Sequence, residues 1–285
     1  MAALPDAALP EAAVSTPVRV RQSRRAGWRV VAAKEFSDGI MSIRLFILIA
    51  LLGLAAVAAI YSTATYVSGN AQAATGATGL FVQLFSNQPS SSQIPSFAAL
   101  VGLLGPLLGI AFGFDAVNGE RAERTLPRLV AQPIHRDDVI NGKFAAGLAM
   151  MGLVLLAITL LVAGVALFVL GIQPTPDDLA RLATWYVVTL VYLGFWLAFA
   201  MLCSVVLRRA ATSALAAIGL WIVLTLFTAL LVGILAGYLA PVSDSATIDQ
   251  QIANVQTQLD LSRVSPGTLY GESAAYLLDP TVTTV

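Results

Sequence analysis

The sequence predicts an all-α, polytopic integral membrane protein, and three observations carry that prediction. Hydrophobic residues make up 58% of the 285 positions and charged residues only 11%, against about a quarter charged in soluble domains. Five apolar runs are each long enough, at about 1.5 Å per helical residue, to cross a hydrocarbon core of about 30 Å. The formal net charge is zero, yet the basic residues gather on alternate segments between those runs. A single cysteine, Cys203, excludes a disulfide within the chain, and a single histidine, His135, excludes a histidine-built metal site.

In chain order, residues 1–25 are rich in Ala, Pro and Val with little periodicity, and are expected to be a disordered cytoplasmic tail. No cleavable signal peptide is evident. Residues 26–44 are expected to form a helix lying in the membrane interface. Trp28, Phe36, Ile40 and Ile43 share one side at helical spacing, Lys34, Ser37 and Asp38 point elsewhere, and Glu35 interrupts the apolar face. A plain charged lead-in to the first span stays open beside that reading. The transmembrane domain, 45–239, begins with a first span over Leu45–Tyr66. Residues 67–94 carry no charge and suit a loop on the outer face.

The second span, Ser96–Phe114, places Gly105, Gly109 and Gly113 four apart, in line on one helix face where a second backbone can approach closely. Pro106 is expected to kink it. After the charged loop 115–143 come a third span over 144–170, a fourth over 182–207 and a fifth over 211–239. A Pro-Thr-Pro-Asp-Asp turn joins the third to the fourth, and Arg208 and Arg209 turn the fourth into the fifth. Residues 240–285 are polar and read as an extracytoplasmic segment, with a short helix expected in the Gln-rich stretch DQQIANVQTQLDL.

Charge orients these spans. Seven basic residues precede the first span, five lie in the central loop and two in the fourth-to-fifth turn; the other segments share only Arg181 and Arg263. By the positive-inside rule the N terminus and the central loop face the cytoplasm.

The chemistry missing from the spans is also informative. No ionisable residue occupies the middle of any span, where each would cost about 2.5–3.5 kcal/mol on insertion scales. That argues against an ion-coupled carrier, a proton pump, a voltage sensor or an intramembrane protease. Ser204 and Thr189 lack an adjacent base, and bonding to their own helix backbone accounts for them. Gly142-Lys143 lacks the upstream glycine of a phosphate loop, and no GxGxxG follows a strand, so the chain has no nucleotide site of its own. Such a chain has either a passive task or an energy source on another subunit.

The central loop favours the second. It balances Asp115, Glu120, Glu123, Asp137 and Asp138 against Arg121, Arg124, Arg128, Arg136 and Lys143, whereas a lipid-binding loop is expected to carry net positive charge. The run Gly119-Glu120-Arg121-Ala122-Glu123-Arg124-Thr125-Leu126, then Pro133-Ile134-His135-Arg136 and Gly142-Lys143, resembles the ABC-2 type permease pattern. Ala33-Lys34-Glu35-Phe36 with Asp38 is similar to that family's interfacial elbow helix. Leu261-Ser262-Arg263-Val264-Ser265-Pro266, with Leu269-Tyr270, is similar to the outer segment of its NosY-like branch.

The resemblance implies an ABC-2 (type V exporter-like) transmembrane domain in the cell membrane. Its partners would be a second copy of itself, surrounding lipid and two copies of a separate ATPase that holds the ATP and Mg; no cofactor on this chain and no nucleic acid is implied. Glu120, Arg121, Glu123, Arg124, Thr125, Leu126, Arg128 and Leu129 would form the ATPase-coupling interface, and Trp28, Lys34, Glu35 and Phe36 the elbow. Charge-assisted bonds around an apolar Leu126–Leu129 anchor suit such docking. The chain departs from the pattern in having Arg124 where glycine is frequent, and Pro127 directly after Leu126. It also has five visible spans where relatives have six, so a missing last span is expected. A non-transporting membrane anchor or assembly factor, recruiting a cytoplasmic protein through the same loop, stays open as the alternative.

Overall fold

The structure is a computed structural model; it describes residues 27–69, 81–82, 85, 95–122, 136–169, 171–242 and 247–279. The described residues form helices and no strand, and five of the helical stretches are long and apolar enough to cross a membrane. The fold is therefore an all-α polytopic bundle. The expected tail, 1–25, lies outside the described residues.

Helix α1 (Gly27–Ile40) stops at a turn through Met41 and Ser42, and α2 (Ile43–Gly69), the first span, starts there. The second span is α3 (Phe97–Gly113), capped by the Ser96 hydroxyl oxygen, which accepts from the Ala99 N–H at 3.1 Å. A one-turn helix α4 (Asn118–Ala122) follows. The third span, α5 (Arg136–Phe168), begins eight residues before its apolar run, so the last part of the charged loop is already helical. Asp137 and Asp138 in its first turn favour that early start, because acidic groups complement the N-terminal end of the helix dipole. Gly171, at φ 70°, ends the helix in the left-handed region, and the Ile172 N–H returns to the Ala166 carbonyl.

The fourth span, α6 (Pro176–Val206), has a capping box: Thr175 and Asp178 bond reciprocally, with Pro176 at the first helical position. What reads in the sequence as a turn is thus the first turn of a 31-residue helix. The fifth span is α7 (Ala210–Ile222), a π-helical turn (Val223–Phe227) and α8 (Thr228–Leu239) in continuous succession. Two further helices, α9 (Ile248–Ser262) and α10 (Pro266–Leu278), occupy the polar C-terminal stretch. The Asn254 side-chain N–H groups donate to the Ala236 and Ala240 carbonyls, which lays α9 along α8.

The core lies between α3 and α6, which run parallel. Gly105 faces Leu193, Gly109 faces the Leu193 carbonyl and Leu197 N–H, and Gly113 faces Leu197 and Ala200. A Cβ on Gly113 would stand 2.8 Å from the Leu197 carbonyl oxygen, so the two backbones touch there in a way that only glycine allows. Trp185 and Trp196 are fully buried, and Trp185 meets Phe97 and Phe85 with ring centroids 6.0 Å apart. Pro106 sits inside α3, which continues through it. With no N–H at Pro106, the Gly102 carbonyl loses its ordinary helical donor. The Tyr192 hydroxyl supplies the replacement at 2.9 Å.

By contrast the fifth span is exposed along much of its length, at Leu215, Leu226, Leu230 and Ile234 among others. One end of the bundle carries α1, α4 and the starts of α2 and α5; it is called the charged end below.

Candidate functional site

The charged end is built by close helix approach. A Cβ on Gly142 would lie 2.7 Å from the Val31 side chain and 2.9 Å from the Trp28 carbonyl, so Gly142 lets α1 lie directly on the start of α5. Val31 is accordingly the buried residue of α1. Trp28 and Ile40 stay exposed, and Phe36 is half-buried.

This contact gives Glu35 its role. In the sequence it interrupts the apolar face; in the structure it points at α5, where the Lys143 Nζ donates to its Oε1 at 2.9 Å. The same ammonium reaches Glu120 Oε1 on α4 at 2.7 Å. Lys143 is 12% exposed and Glu120 14%, so both charges are largely withdrawn from water and need each other. Removing one partner of a fully buried pair costs about 3–5 kcal/mol. Lys34 stands at the exposed rim of this core, 3.8 Å from Glu35 and 3.1 Å from Asp38 one turn on, in bridges worth at most about 1 kcal/mol.

A second ion pair joins the first two spans. Arg44, in the first turn of α2, forks onto Asp115 after α3, with Nη1 to Oδ1 at 2.9 Å and Nη2 onto Oδ2. The guanidinium also stands 5.5 Å from the Phe114 ring centroid. The planar fork is what makes arginine suited to this bidentate hold.

Helix α4 is fastened from its other side. The Ser204 hydroxyl oxygen accepts from the N–H groups of Val117 (3.1 Å) and Asn118 (3.2 Å), satisfying donors that a helix start leaves open. Ser204 therefore acts across helices, a role its lack of a neighbouring base hides in the sequence. Arg121 donates to the Val205 carbonyl at 3.3 Å and the Leu207 carbonyl at 3.5 Å, where its charge suits the C-terminal end of α6. Thr189 does bond its own helix, through the Trp185 carbonyl at 2.8 Å.

Together these contacts enclose a cavity of about 860 Å³ between α1, α3 and α5, into which Glu35, Arg44, Asp115, Glu120 and Lys143 all project. The structure brings Glu120, Arg121, Lys34 and Glu35 to this end. Glu123, Arg124, Thr125, Leu126, Arg128 and Leu129 lie outside the described residues, which stop at Ala122, two residues after Glu120, and resume at Arg136, seven before Lys143. Among the described residues no three His, Cys, Asp or Glu side chains converge to hold a metal ion. The contacts tie α1 and three spans to the chain on either side of the loop. Sequence reasoning missed the Lys143 pairing because its partners lie 108 residues before it and across a loop; the adjacent Gly142 is the available signal for close helix approach.

Comparison with known proteins agrees with this architecture. The family model described as ABC-2 family transporter protein matches residues 29–279. The probable ABC transporter permease protein NosY of Stutzerimonas stutzeri is 28% identical over 202 residues. That match covers 69% of this chain and 66% of the relative, just under two thirds of the relative's own length. With five candidate spans among the described residues and a family match running from α1 to the end of α10, the chain belongs to the ABC-2 family of transporter proteins.

Proposed function

We propose that this chain is the permease subunit of an ABC-2 exporter in the cell membrane, driven by ATP hydrolysis on a separate ATPase. The charged end faces the cytoplasm, in keeping with fourteen of the sixteen basic residues falling on same-side segments. Residues 123–135 seat in the ATPase, with Leu126 and Leu129 as the apolar anchor and Glu123, Arg124 and Arg128 around it. Two permease copies and two ATPase copies make the working unit, with ATP and Mg bound by the ATPase.

One observation carries the coupling. Lys143 bridges Glu120 before the loop to Glu35 on α1, so a push on the loop is passed to α1, α3 and α5 rather than absorbed as loop motion. The Arg44–Asp115 pair extends the same path to α2.

The test is ATP-driven transport in vesicles containing the permease and its co-purifying ATPase. Replacing Glu123 and Leu126 together by alanine is expected to abolish ATP-dependent transport while the permease alone remains folded. Unchanged assembly and unchanged turnover in that variant would remove the coupling role from this loop.

A further inference from the structure

A second cavity, of about 580 Å³ and open on one side, lies in the half of the bundle away from the charged end, bordered by α3, α6, the fifth span and α10. Its floor is unusual for a membrane interior. Leu224 falls at the middle of the 30-residue fifth span, in the π-helical turn. Its carbonyl accepts hydroxyl protons from Thr228 at 2.6 Å and from Ser265 at 2.7 Å. Ser265 comes from the turn between α9 and α10, so that turn reaches halfway along a span. Non-helical backbone at such depth is tolerated where protein buries it or where it lines a cavity, and π turns recur at functional positions.

The hydrogen-bond inventory of the described lining leans toward acceptors: of its eight hydroxyls, Ser96, Thr225 and Thr268 keep a proton to give, and the other five, Ser262 among them, give theirs to protein partners. A hydroxyl has one proton to give and two lone pairs to receive. Thr228 and Ser265 give theirs to the Leu224 carbonyl, and Tyr192 gives its own to the Gly102 carbonyl that Pro106 leaves open. Thr189 donates to Trp185, so the 3.3 Å contact between Thr189 and Tyr270 uses the Tyr270 proton. Burial also holds the Tyr270 phenol above its ordinary pKa, so it stays neutral. Four hydroxyls of the wall, Tyr192, Thr228, Ser265 and Tyr270, thus keep only acceptor lone pairs for a ligand. Among the described residues no Asp, Glu, Lys or Arg lines the cavity. The nearby Arg263 and Glu272 are joined to each other at 3.0 Å.

We propose that this cavity is a binding site for an uncharged, mainly apolar molecule that carries a hydrogen-bond donor, of the class of alcohols and primary or secondary amides. The donor answers the row of acceptor oxygens, and the apolar body answers Leu103, Leu224 and the small residues Gly102, Gly271 and Ala274. A charged ligand would lose its hydration and meet no counter-charge, a cost of several kcal/mol. The volume falls within the range of about 300–1,000 Å³ common to small-molecule sites. Binding stands independently of transport; regarding the bound molecule as cargo rests on the permease reading.

The test uses the full purified chain in detergent, with neither ATPase nor ATP, so its outcome is separate from that of the transport assay. The probe is an eight-carbon alkanol carrying a photoactivated diazirine, compared with its methyl ether and with the matching alkylammonium. Adducts are mapped by mass spectrometry. Expected are saturable alcohol adducts on α3, the π-helical turn and α10, with weaker labelling by the ether and the ammonium. Gly271→Leu places a larger side chain at the cavity wall, where nothing lies within 4 Å of its Cβ. It is expected to weaken alcohol labelling about tenfold, the equivalent of about 1.4 kcal/mol. Gly233→Leu, on the exposed face of α8 with equally open surroundings, is expected to leave labelling unchanged. Thr228→Val, which keeps the side-chain shape, removes one acceptor and is expected to narrow the preference for alcohol over ether. Unsaturable adducts spread along Leu215 and Leu230, equal labelling by all three probes, or indifference to Gly271→Leu would each overturn the site.

Discussion

The two polar regions of this molecule solve one problem by opposite means. At the charged end, polar side chains are ionised and satisfy one another: Lys143 with Glu35 and Glu120, Arg44 with Asp115. In the other half they are neutral hydroxyls, and their partners are backbone carbonyls at Gly102, Leu224 and Trp185. The difference follows depth. Near the interface, water and headgroups lower the cost of a charge, so strong, directional ion pairs can join helices. Deeper in the bundle only uncharged groups are tolerable, and they serve to repair backbone that Pro106 and the π-helical turn have opened. One region is therefore suited to passing force, the other to holding a neutral molecule.

The sharpest way to break this contrast is to remove the ammonium at its centre. Lys143→Met removes the ammonium shared by Glu35 and Glu120 and leaves Glu35 only the longer, exposed contact to Lys34 at 3.8 Å. It is expected to lower the stability of the purified protein by up to about 3–5 kcal/mol, read as a fall in thermal midpoint in detergent. A change below about 0.5 kcal/mol would mean that the cluster behaves as an ordinary solvated surface. The exchanged pair Glu120→Lys with Lys143→Glu is expected to recover only part of the loss, because Glu35 then faces a glutamate.

The seam between α3 and α6 offers the next largest effect and joins the two regions. Gly113→Ala sets a Cβ against the Leu197 carbonyl, and overpacking of that kind costs about 1–3 kcal/mol. Gly105→Ala meets first the Leu193 Cδ2, the end of a flexible side chain, at 2.7 Å. The expected order of thermal midpoints is wild type, then Gly105→Ala, then Gly113→Ala; the reverse order would mean that the backbones do not touch at Gly113.

Smaller effects separate the two kinds of polar bond. Ser204→Ala removes the oxygen that caps α4, and is expected to cost about 1 kcal/mol. Faster amide hydrogen exchange at Val117 and Asn118 would report it. Lys34→Gln, which breaks the exposed bridge to Asp38 and the longer contact to Glu35, is expected to shift stability by less than about 0.5 kcal/mol. A large loss from Lys34→Gln would place that side chain inside the network rather than at its rim.

Much of the fold is legible in the residues, because the bilayer imposes a length and a hydropathy on each span. All five spans stand where the apolar runs lie. The deviations occur where polar residues start a helix: Asp137 and Asp138 begin α5, and the Thr175–Asp178 box begins α6. Composition alone reads those residues as loop. Glu35 is a similar case, since an acidic residue on an apolar face reads as a defect until the cation across from it is known. The loop residues Glu123 to Leu129 remain expectations drawn from pattern.

By itself the sequence determined the class of the protein, the position and order of the five spans seen among the described residues, and the gathering of its basic residues on alternate segments. These depend on run length and composition, which are local properties. Only the tertiary structure decided which charges meet, since Lys143 reaches partners 23 and 108 residues away by way of a contact that Gly142 permits. It alone decided, too, that Tyr192 repairs the gap left by Pro106, and that the turn after α9 reaches the middle of the fifth span. Those pairings depend on how helices are brought side by side, and no single stretch of chain encodes that.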